Sequence, residues 1–215
     1  MGTRANIGFR FQHQDWLMYH HNSGGLPNLG LEIINFCKEH DVERLRSRVS
    51  KFVRIGDHPP TLTATRIKQV AAAQDWPQER TEKLLLQLKD KDKEKRPTWD
   101  DMFYDAASLS DFMGDLNYWP DYGTFIWHSN CEWAYIINLD EEALEIYTHH
   151  YNAPGHETTY KKVKPGGRYS GYFVGDAGPE AKRGATLLNS IPLKDLREVP
   201  STALQSYANR IDRQH

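Results

Sequence analysis

Residues 19–27 of this 215-residue chain read Tyr-His-His-Asn-Ser-Gly-Gly-Leu-Pro, and this stretch organises the first part of the fold. It ends a predicted β-strand, turns through Gly24 and Gly25, and leads into a predicted helix. Two adjacent histidines, a tyrosine, an asparagine and a serine also give it the densest polar chemistry near the N-terminus. The stretch therefore marks the end of a hairpin and a candidate functional surface.

A β-hairpin is predicted directly upstream. Residues 4–11 alternate between apolar and polar side chains, which is the period of a half-buried strand. Its apolar face consists of Ile7, Phe9 and Phe11. Residues 12–15 are polar and predict a turn, and residues 16–20 predict the return strand. Gly8 lies inside the first strand, where a glycine indicates either close approach by a neighbour or a β-bulge, and we favour the bulge.

A helical middle section is predicted over residues 28–116. Asn28 is predicted to cap its first helix, and Asp41 is predicted to cap the second. Thr98 and Asp101 form a capping-box pattern before a later helix, with Asp in place of the usual Glu or Gln.

Period-two alternation returns in a β-rich part over residues 123–174. Its predicted strands are 123–127, 131–139 and 143–147, followed by a hairpin over 161–174. Leu144 and Ile146 are predicted to lie opposite a shared face of Cys131, Trp133, Tyr135 and Ile137. The tail over residues 175–215 shows little pattern before a terminal helix at 202–212. The sequence predicts one α+β domain over residues 1–215, with an antiparallel sheet from the N-terminal hairpin and a later β-meander, and the helical middle packed on it.

Composition limits the classes of protein that fit. The formal net charge of −2 gives no overall electrostatic footprint for nucleic acid or an anionic membrane, so such binding would need a local patch. Two cysteines, Cys37 and Cys131, are too few for a disulfide framework in a chain of this size. The sequence has no apolar leader and no long apolar run, so we expect a cytoplasmic protein without a membrane segment.

Several short motifs resemble an uncharacterised family of small phage and bacterial proteins. Members typically begin Met-Gly-Thr-Arg and continue through a strand to a Tyr-x-His-Trp-Asp-Gly-Tyr-Pro segment. This chain opens with the same four residues and approximates the second motif with Tyr19, His21, Gly24 and Pro27. Residues 53–57 resemble the family's Leu-Gly-Asp stretch, and residues 132–140 with 144–147 resemble its late Tyr-rich hairpin.

The resemblance implies a phage or mobile-element setting and brings no established activity. Asn22 and Ser23 stand where the family has Trp-Asp, and an extra residue precedes Pro27. A function that needs that carboxylate therefore does not carry over to this chain.

An enzyme hypothesis starts from the N-terminal hairpin, which loosely resembles the start of N-terminal-nucleophile hydrolases. Those enzymes use the first residue of the mature chain, a Ser, Thr or Cys, with its own amine as the base. Thr3 would become that nucleophile only if both preceding residues were removed. The candidate catalytic residues are Thr3, Arg4 and His21.

Metal and thiol sites receive less support from the sequence. The pairs His20-His21 and His149-His150 lie at predicted strand ends, where neighbours point to opposite faces and each pair offers one ligand easily. His128 and Cys131 have a spacing that zinc could use, but no Cys-x-x-Cys or His-Glu-x-x-His pattern supports it. We therefore expect no metal and no cofactor, and a structural thiol at Cys131.

A binding hypothesis rests on cations interleaved with aromatic rings in the predicted hairpin over residues 161–174. Stacking rings beside phosphate-neutralising charges are what a nucleotide or single-stranded nucleic acid requires. The candidate binding residues are Tyr160, Lys161, Lys162, Lys164, Arg168, Tyr169 and Tyr172. Because no complete catalytic set is readable, we expect a binding or interaction protein that engages a host protein, a nucleotide or nucleic acid, with the hydrolase as the alternative.

Overall fold

The computed structural model divides the chain into two compact units. Unit 1 comprises Met1–Arg46 and Tyr122–His215, and unit 2 comprises Ser47–Asp121. The structure describes residues 3–55, 60–73, 75–103, 109–113, 117–120, 126, 131–148, 168–169, 172–173, 182–183, 185–203, 205–206 and 209. The single domain predicted over residues 1–215 stays a prediction.

The described elements alternate between strands and short helices. The strands are β1 (Ala5–Phe11), β2 (Gln14–His20), β3 (Val53–Ile55), β4 (Tyr118–Pro120), β5 (Trp133–Asn138), β6 (Ala143–Thr148), β7 (Tyr172–Phe173), β8 (Lys182–Arg183) and β9 (Thr186–Pro192). The α-helices are α1 (Leu31–Glu39), α2 (Val42–Val49), α3 (Ala64–Ala73), α4 (Gln78–Gln87), α5 (Trp99–Phe103) and α6 (Leu193–Glu198). A π-helical segment precedes α1 at Leu26–Gly30, and 3-10 segments lie at Lys93–Lys95, Leu109–Met113 and Ser201–Ala203.

Unit 1 is built on a sheet with the strand order β2-β1-β5-β6-β9. The predicted α+β class is confirmed, with the N-terminal hairpin and later strands joined in one sheet. The sheet is mixed rather than wholly antiparallel, because β1 pairs with β5 in parallel while the other neighbours pair antiparallel. A parallel pair needs a long connection, and the helical middle of the chain supplies it here.

The prediction of a half-buried β1 is wrong, because this strand lies in the sheet interior with both faces covered. Asn6 is as buried as Ile7, with exposed fractions of 0% and 1%. The bulge interpretation of Gly8 is also wrong, since the pairing with β2 runs without interruption. A Cβ at Gly8 would lie 1.8 Å from the carbonyl oxygen of Trp16, so the glycine allows close approach by the neighbouring backbone.

One face of the sheet, which we call the helix face, carries Phe9, Tyr135 and their alternating neighbours. Helix α1 packs against it, with the ring centroids of Phe36 and Phe9 at 6.2 Å. The hydroxyl of Tyr135 donates to the carbonyl of Gly24 at 3.0 Å and so fixes the glycine turn that leads into α1. The stretch from β2 to α1 is therefore held by the sheet that it follows.

Unit 2 has an aromatic core. The rings of Phe52, Phe112 and Trp119 pack against one another with centroids 4.4 to 5.9 Å apart, and the Phe52 and Trp119 rings are stacked. The nearly buried Arg48 lies beside them, 5.4 Å from the centroid of the Phe52 ring. Its Nη1 donates to Asn117 Oδ1 at 2.6 Å, which satisfies part of the buried charge.

Local predictions succeed where the deciding residues are close in sequence. Asp41 accepts from the Arg44 N–H at 2.8 Å and caps α2 as predicted. Thr98 and Asp101 exchange the predicted capping-box bonds. The Asn28 cap is wrong, because the helical segment already begins at Leu26 and places Asn28 inside it.

Other predictions fail or lie outside the described residues. Strand β9 lies within residues 175–192, where the sequence predicts no regular element. Helix α6 follows directly after β9 and was not predicted either. Only Ile126 of the predicted strand 123–127 is described, and it is not in a strand. Among the residues that the structure describes, no helix combines the length and apolar composition needed to cross a bilayer.

The turn between β1 and β2 is strained and clamped from outside the hairpin. Its two residues, Gln12 and His13, have φ of 51° and 61°, a conformation that usually selects glycine or asparagine. Their N–H groups both donate to the carboxylate of Asp140 at 2.8 Å. Burial alone would raise the pKa of Asp140, but these two bonds and the charges of His13 and Arg10 hold it below its ordinary value.

We expect Asp140→Ala to lower the free energy of unfolding by about 2 kcal/mol at neutral pH, because it leaves two turn N–H groups without their charged acceptor. A depressed pKa in the folded state gives stability that is present above the unfolded value of 3.8 and is lost as pH falls through the folded value. The difference between wild type and variant should therefore shrink below about pH 4. Urea unfolding at several pH values tests this, with the exposed neighbour Glu141→Ala as control.

Candidate functional site

A chain of alternating charges crosses the second face of the sheet, which we call the polar face. Its members run in the order Asp140, Arg10, Asp15, Arg168 and Glu145, and we call it the ion-pair chain. The successive N–O distances are 3.8, 2.9, 3.7 and 2.6 Å. These side chains are between 9% and 26% exposed, so most of their charge is screened by partners rather than by water.

Strand register explains why these residues meet. Arg10 lies opposite Asp15 in the hairpin and opposite Asn138 in β5. Glu145 lies on β6, the next strand of the sheet. It is two residues after Ala143, which pairs with Asn138, and so it lies on the same face as both. Since alternate residues of a strand share a face, all of them project from the polar face.

Glu145 accepts hydrogen bonds from three different side chains. Asn138 Nδ2 donates at 2.7 Å, the Tyr147 hydroxyl at 2.9 Å, and Arg168 Nη1 at 2.8 Å. Burial opposes the charge of Arg168, but its bonds to Glu145 raise its pKa and keep it protonated. Burial also raises the pKa of Tyr147, so this hydroxyl stays neutral and acts as a donor.

The segment Arg168–Tyr169 is docked on the sheet by this set of contacts. The Tyr169 hydroxyl donates to Asp15 Oδ2 at 2.5 Å, and burial with the nearby carboxylate raises its pKa. Its ring meets Tyr147 edge-on at 5.0 Å. Below the rings lies an apolar cluster of Leu17, Ile126, Ala134, Ile136 and Ala185. Polar contacts thus fix both residues, and apolar contacts also fix Tyr169.

The predicted binding residues divide into three groups. Arg168 and Tyr169 are occupied by contacts within the fold, and Tyr169 is only 5% exposed. Tyr172 lies in β7, which pairs with β8, and most of the hairpin predicted over residues 161–174 lies outside the described residues. The remaining predicted residues lie outside the described residues: Tyr160, Lys161, Lys162 and Lys164.

The predicted catalytic residues gather at the open end of the hairpin. The carbonyl of Thr3 accepts from the Gly24 N–H at 3.0 Å, and the N–H of Arg4 donates to Glu132 Oε1 at 3.3 Å. His21 is exposed, and its Nδ1 lies 2.6 Å from the Tyr19 hydroxyl. The backbone of Thr3 and Arg4 and the ring of His21 therefore flank one end of β1.

The thiol and metal alternatives gain no support from the described part of the chain. Cys131 is fully buried, burial raises its pKa to about 12, and its thiol donates to the Trp133 carbonyl at 3.2 Å. Cys37 is also buried, with a pKa raised by burial to about 12. Across the described residues no group of three His, Cys, Asp or Glu side chains could hold a metal ion. His128, His149 and His150 lie outside that part.

Sequence reasoning missed most of the ion-pair chain. The sequence places Asp15 in the predicted turn over residues 12–15, and Asn138 and Glu145 in predicted strands. One signal was available for the hairpin pair, because Arg10 and Asp15 flank the turn symmetrically and carry opposite charges. Nothing in the local pattern connects Arg168 with Glu145.

Comparison with protein-family models, curated proteins and solved structures finds no match to this chain. Its function is therefore argued from its own residues.

Proposed function

We propose that the protein is a cytoplasmic binding protein of phage or mobile-element type that engages a nucleotide or single-stranded nucleic acid, with a host protein as the other partner class. The contact residues proposed are the cations and rings that precede the docked pair Arg168–Tyr169. The observation that supports this is the anchoring of that pair on a rigid sheet.

The anchoring supports the proposal because few residues separate the predicted lysines from the docked pair, which limits how far those lysines can lie from the sheet. Lys164 is four residues from Arg168, so its Cα lies within about 14 Å of the Arg168 Cα, and Lys161 lies within about 25 Å. Arg168 is held by Glu145 at 2.6 Å and Tyr169 by Asp15 at 2.5 Å. A basic, aromatic segment tied to a fixed sheet loses less freedom on binding than an untethered one, and this favours affinity.

We expect the triple substitution of Lys161, Lys162 and Lys164 by alanine to weaken binding of a fluorescein-labelled oligothymidine by about tenfold or more. The slope of log K against log salt should fall by about 2, since each phosphate contact on a single strand contributes roughly 0.7. Fluorescence anisotropy over a range of salt concentrations measures both quantities, and a labelled ATP analogue tests the nucleotide in the same way.

The matched control replaces Lys91, Lys93 and Lys95, three exposed lysines of unit 2, by alanine. It changes the net charge equally and should leave affinity and salt slope close to wild type. Equal losses in the two triple variants, or no binding of either probe by wild type, would show that the nucleotide and nucleic-acid proposal is wrong.

A hydrolase is the second candidate, and the grouping of Thr3, Arg4 and His21 at one end of β1 favours it. The reaction would require Thr3 to become the first residue, so that its amine can act as base for its hydroxyl. Intact mass of the native protein decides this directly. Loss of Met1 and Gly2 would support the hydrolase, whereas a chain that keeps either residue would exclude an N-terminal threonine nucleophile.

A further inference from the structure

The turn after β2 contains an Asn-Ser pair in an exposed backbone. Asn22 and Ser23 are both exposed, and Ser23 has a φ of 55°. The Ser23 carbonyl accepts from the Leu29 N–H at 3.3 Å. For the Ser23 N–H, in contrast, the described residues offer no hydrogen-bond acceptor. The nitrogen of the Asn22–Ser23 peptide bond is therefore open to solvent base.

We propose that Asn22 is a site of spontaneous deamidation. The Ser23 nitrogen gives up its proton to solvent base and attacks Cγ of Asn22. A bond forms between that nitrogen and Cγ as the bond from Cγ to Nδ2 breaks, and ammonia leaves. Water then adds to either carbonyl of the five-membered imide and opens it to aspartate or isoaspartate. Water is the only other reactant, and no electrons are transferred.

The chain contains the same dipeptide in a protected setting. Asn189 and Ser190 lie within β9, where they pair with Ile146 and Glu145 of β6. An imide can form there only after the strand opens locally, because the ladder fixes the backbone in an extended conformation. The two Asn-Ser pairs thus share their intrinsic reactivity and differ in structure.

Deamidation would add a negative charge next to the open end of the hairpin. The new carboxylate would follow directly after His21, whose Nδ1 contacts the Tyr19 hydroxyl. The proposal does not depend on either function proposed above, since it concerns the chemistry of the backbone alone.

The test is incubation of the purified full-length protein at mildly alkaline pH, followed by peptide mapping with mass spectrometry. We expect the peptide with Asn22 to gain about one dalton at least tenfold faster than the peptide with Asn189. The reason is that β9 must open locally before Asn189 can react, whereas the turn at Asn22 needs no such opening. In denaturant the two rates should converge, which would show that the folded structure causes the difference.

One variant sharpens the result. Asn22→Gln should abolish the fast conversion while circular dichroism confirms an unchanged fold. Equal rates at Asn22 and Asn189 in the folded wild type would overturn the proposal, and this comparison needs no variant to fold.

Discussion

Gly8→Ala is expected to destabilise unit 1 by about 4 kcal/mol or more, which is enough to unfold a domain of ordinary stability. The new Cβ would lie 1.8 Å from the Trp16 oxygen, 2.9 Å from the Trp16 carbonyl carbon and 3.1 Å from the Leu17 Cα. All three atoms belong to the backbone of β2, so no side-chain rotation relieves the clash. The strand pair would have to separate, at the cost of hydrogen bonds on a strand that is buried on both faces.

The matched control for this substitution is Gly25→Ala. A Cβ at Gly25 would meet only Pro27 Cδ, at 3.8 Å, which is ordinary contact, and its φ of −69° suits any residue. The control should stay within about 1 kcal/mol of wild type. Urea unfolding followed by tryptophan fluorescence, together with soluble yield, compares the two. A Gly8→Ala protein that unfolds at the same midpoint as Gly25→Ala would contradict the close approach described for β1 and β2.

Arg168→Met is expected to lower the free energy of unfolding by about 3 kcal/mol, because it leaves Glu145 buried without its charged partner. The side chain of Glu145 is 9% exposed, so water replaces little of the lost interaction. Asn138 and Tyr147 would still donate to it, which keeps the expected loss at the lower end of the range for broken buried pairs.

A double-mutant cycle separates the ion pair from simple packing. Combining Arg168→Met with Glu145→Leu should cost less than the sum of the two single losses, with a coupling energy of about 1 to 3 kcal/mol. The exposed Arg44→Met on α2 serves as the control and should change stability by about 0.5 kcal/mol at most. Additive losses would mean that Arg168 and Glu145 stabilise unit 1 independently.

The features that could be predicted from the sequence are those whose deciding contacts join residues close together along the chain. The placement of Leu144 and Ile146 opposite the face that carries Tyr135 and Ile137 is correct because a short turn and a period of two fix it locally. The caps at Asp41 and Thr98 are correct because each bond spans three residues. Strand β9 was missed because Thr-Leu-Leu-Asn-Ser-Ile-Pro lacks strict alternation and contains a register shift opposite Tyr147.

The candidate site was harder to predict than the fold because its partners are remote in sequence. Tyr169 meets Asp15 across 154 residues, and Asp140 reaches the two turn N–H groups across 128 and 127 residues. The aromatic and basic character of residues 160–172 indicates Arg168 and Tyr169 as candidate binding residues. It could not show that these two side chains face inward, since that depends on carboxylates supplied by β2 and β6.

The parallel pairing of β1 with β5 has a consequence for synthesis on the ribosome. The contact between the start of β1 and the residue before β5 spans 128 positions. At translation rates of 5 to 20 residues per second, the hairpin waits roughly 6 to 25 seconds before its second neighbour emerges. During that interval the edge of β1 that later meets β5 stays unpaired, and such edges recruit chaperones or aggregate. Nascent chains stalled before β5 should therefore be captured by a holding chaperone, and chains released after β6 should escape it.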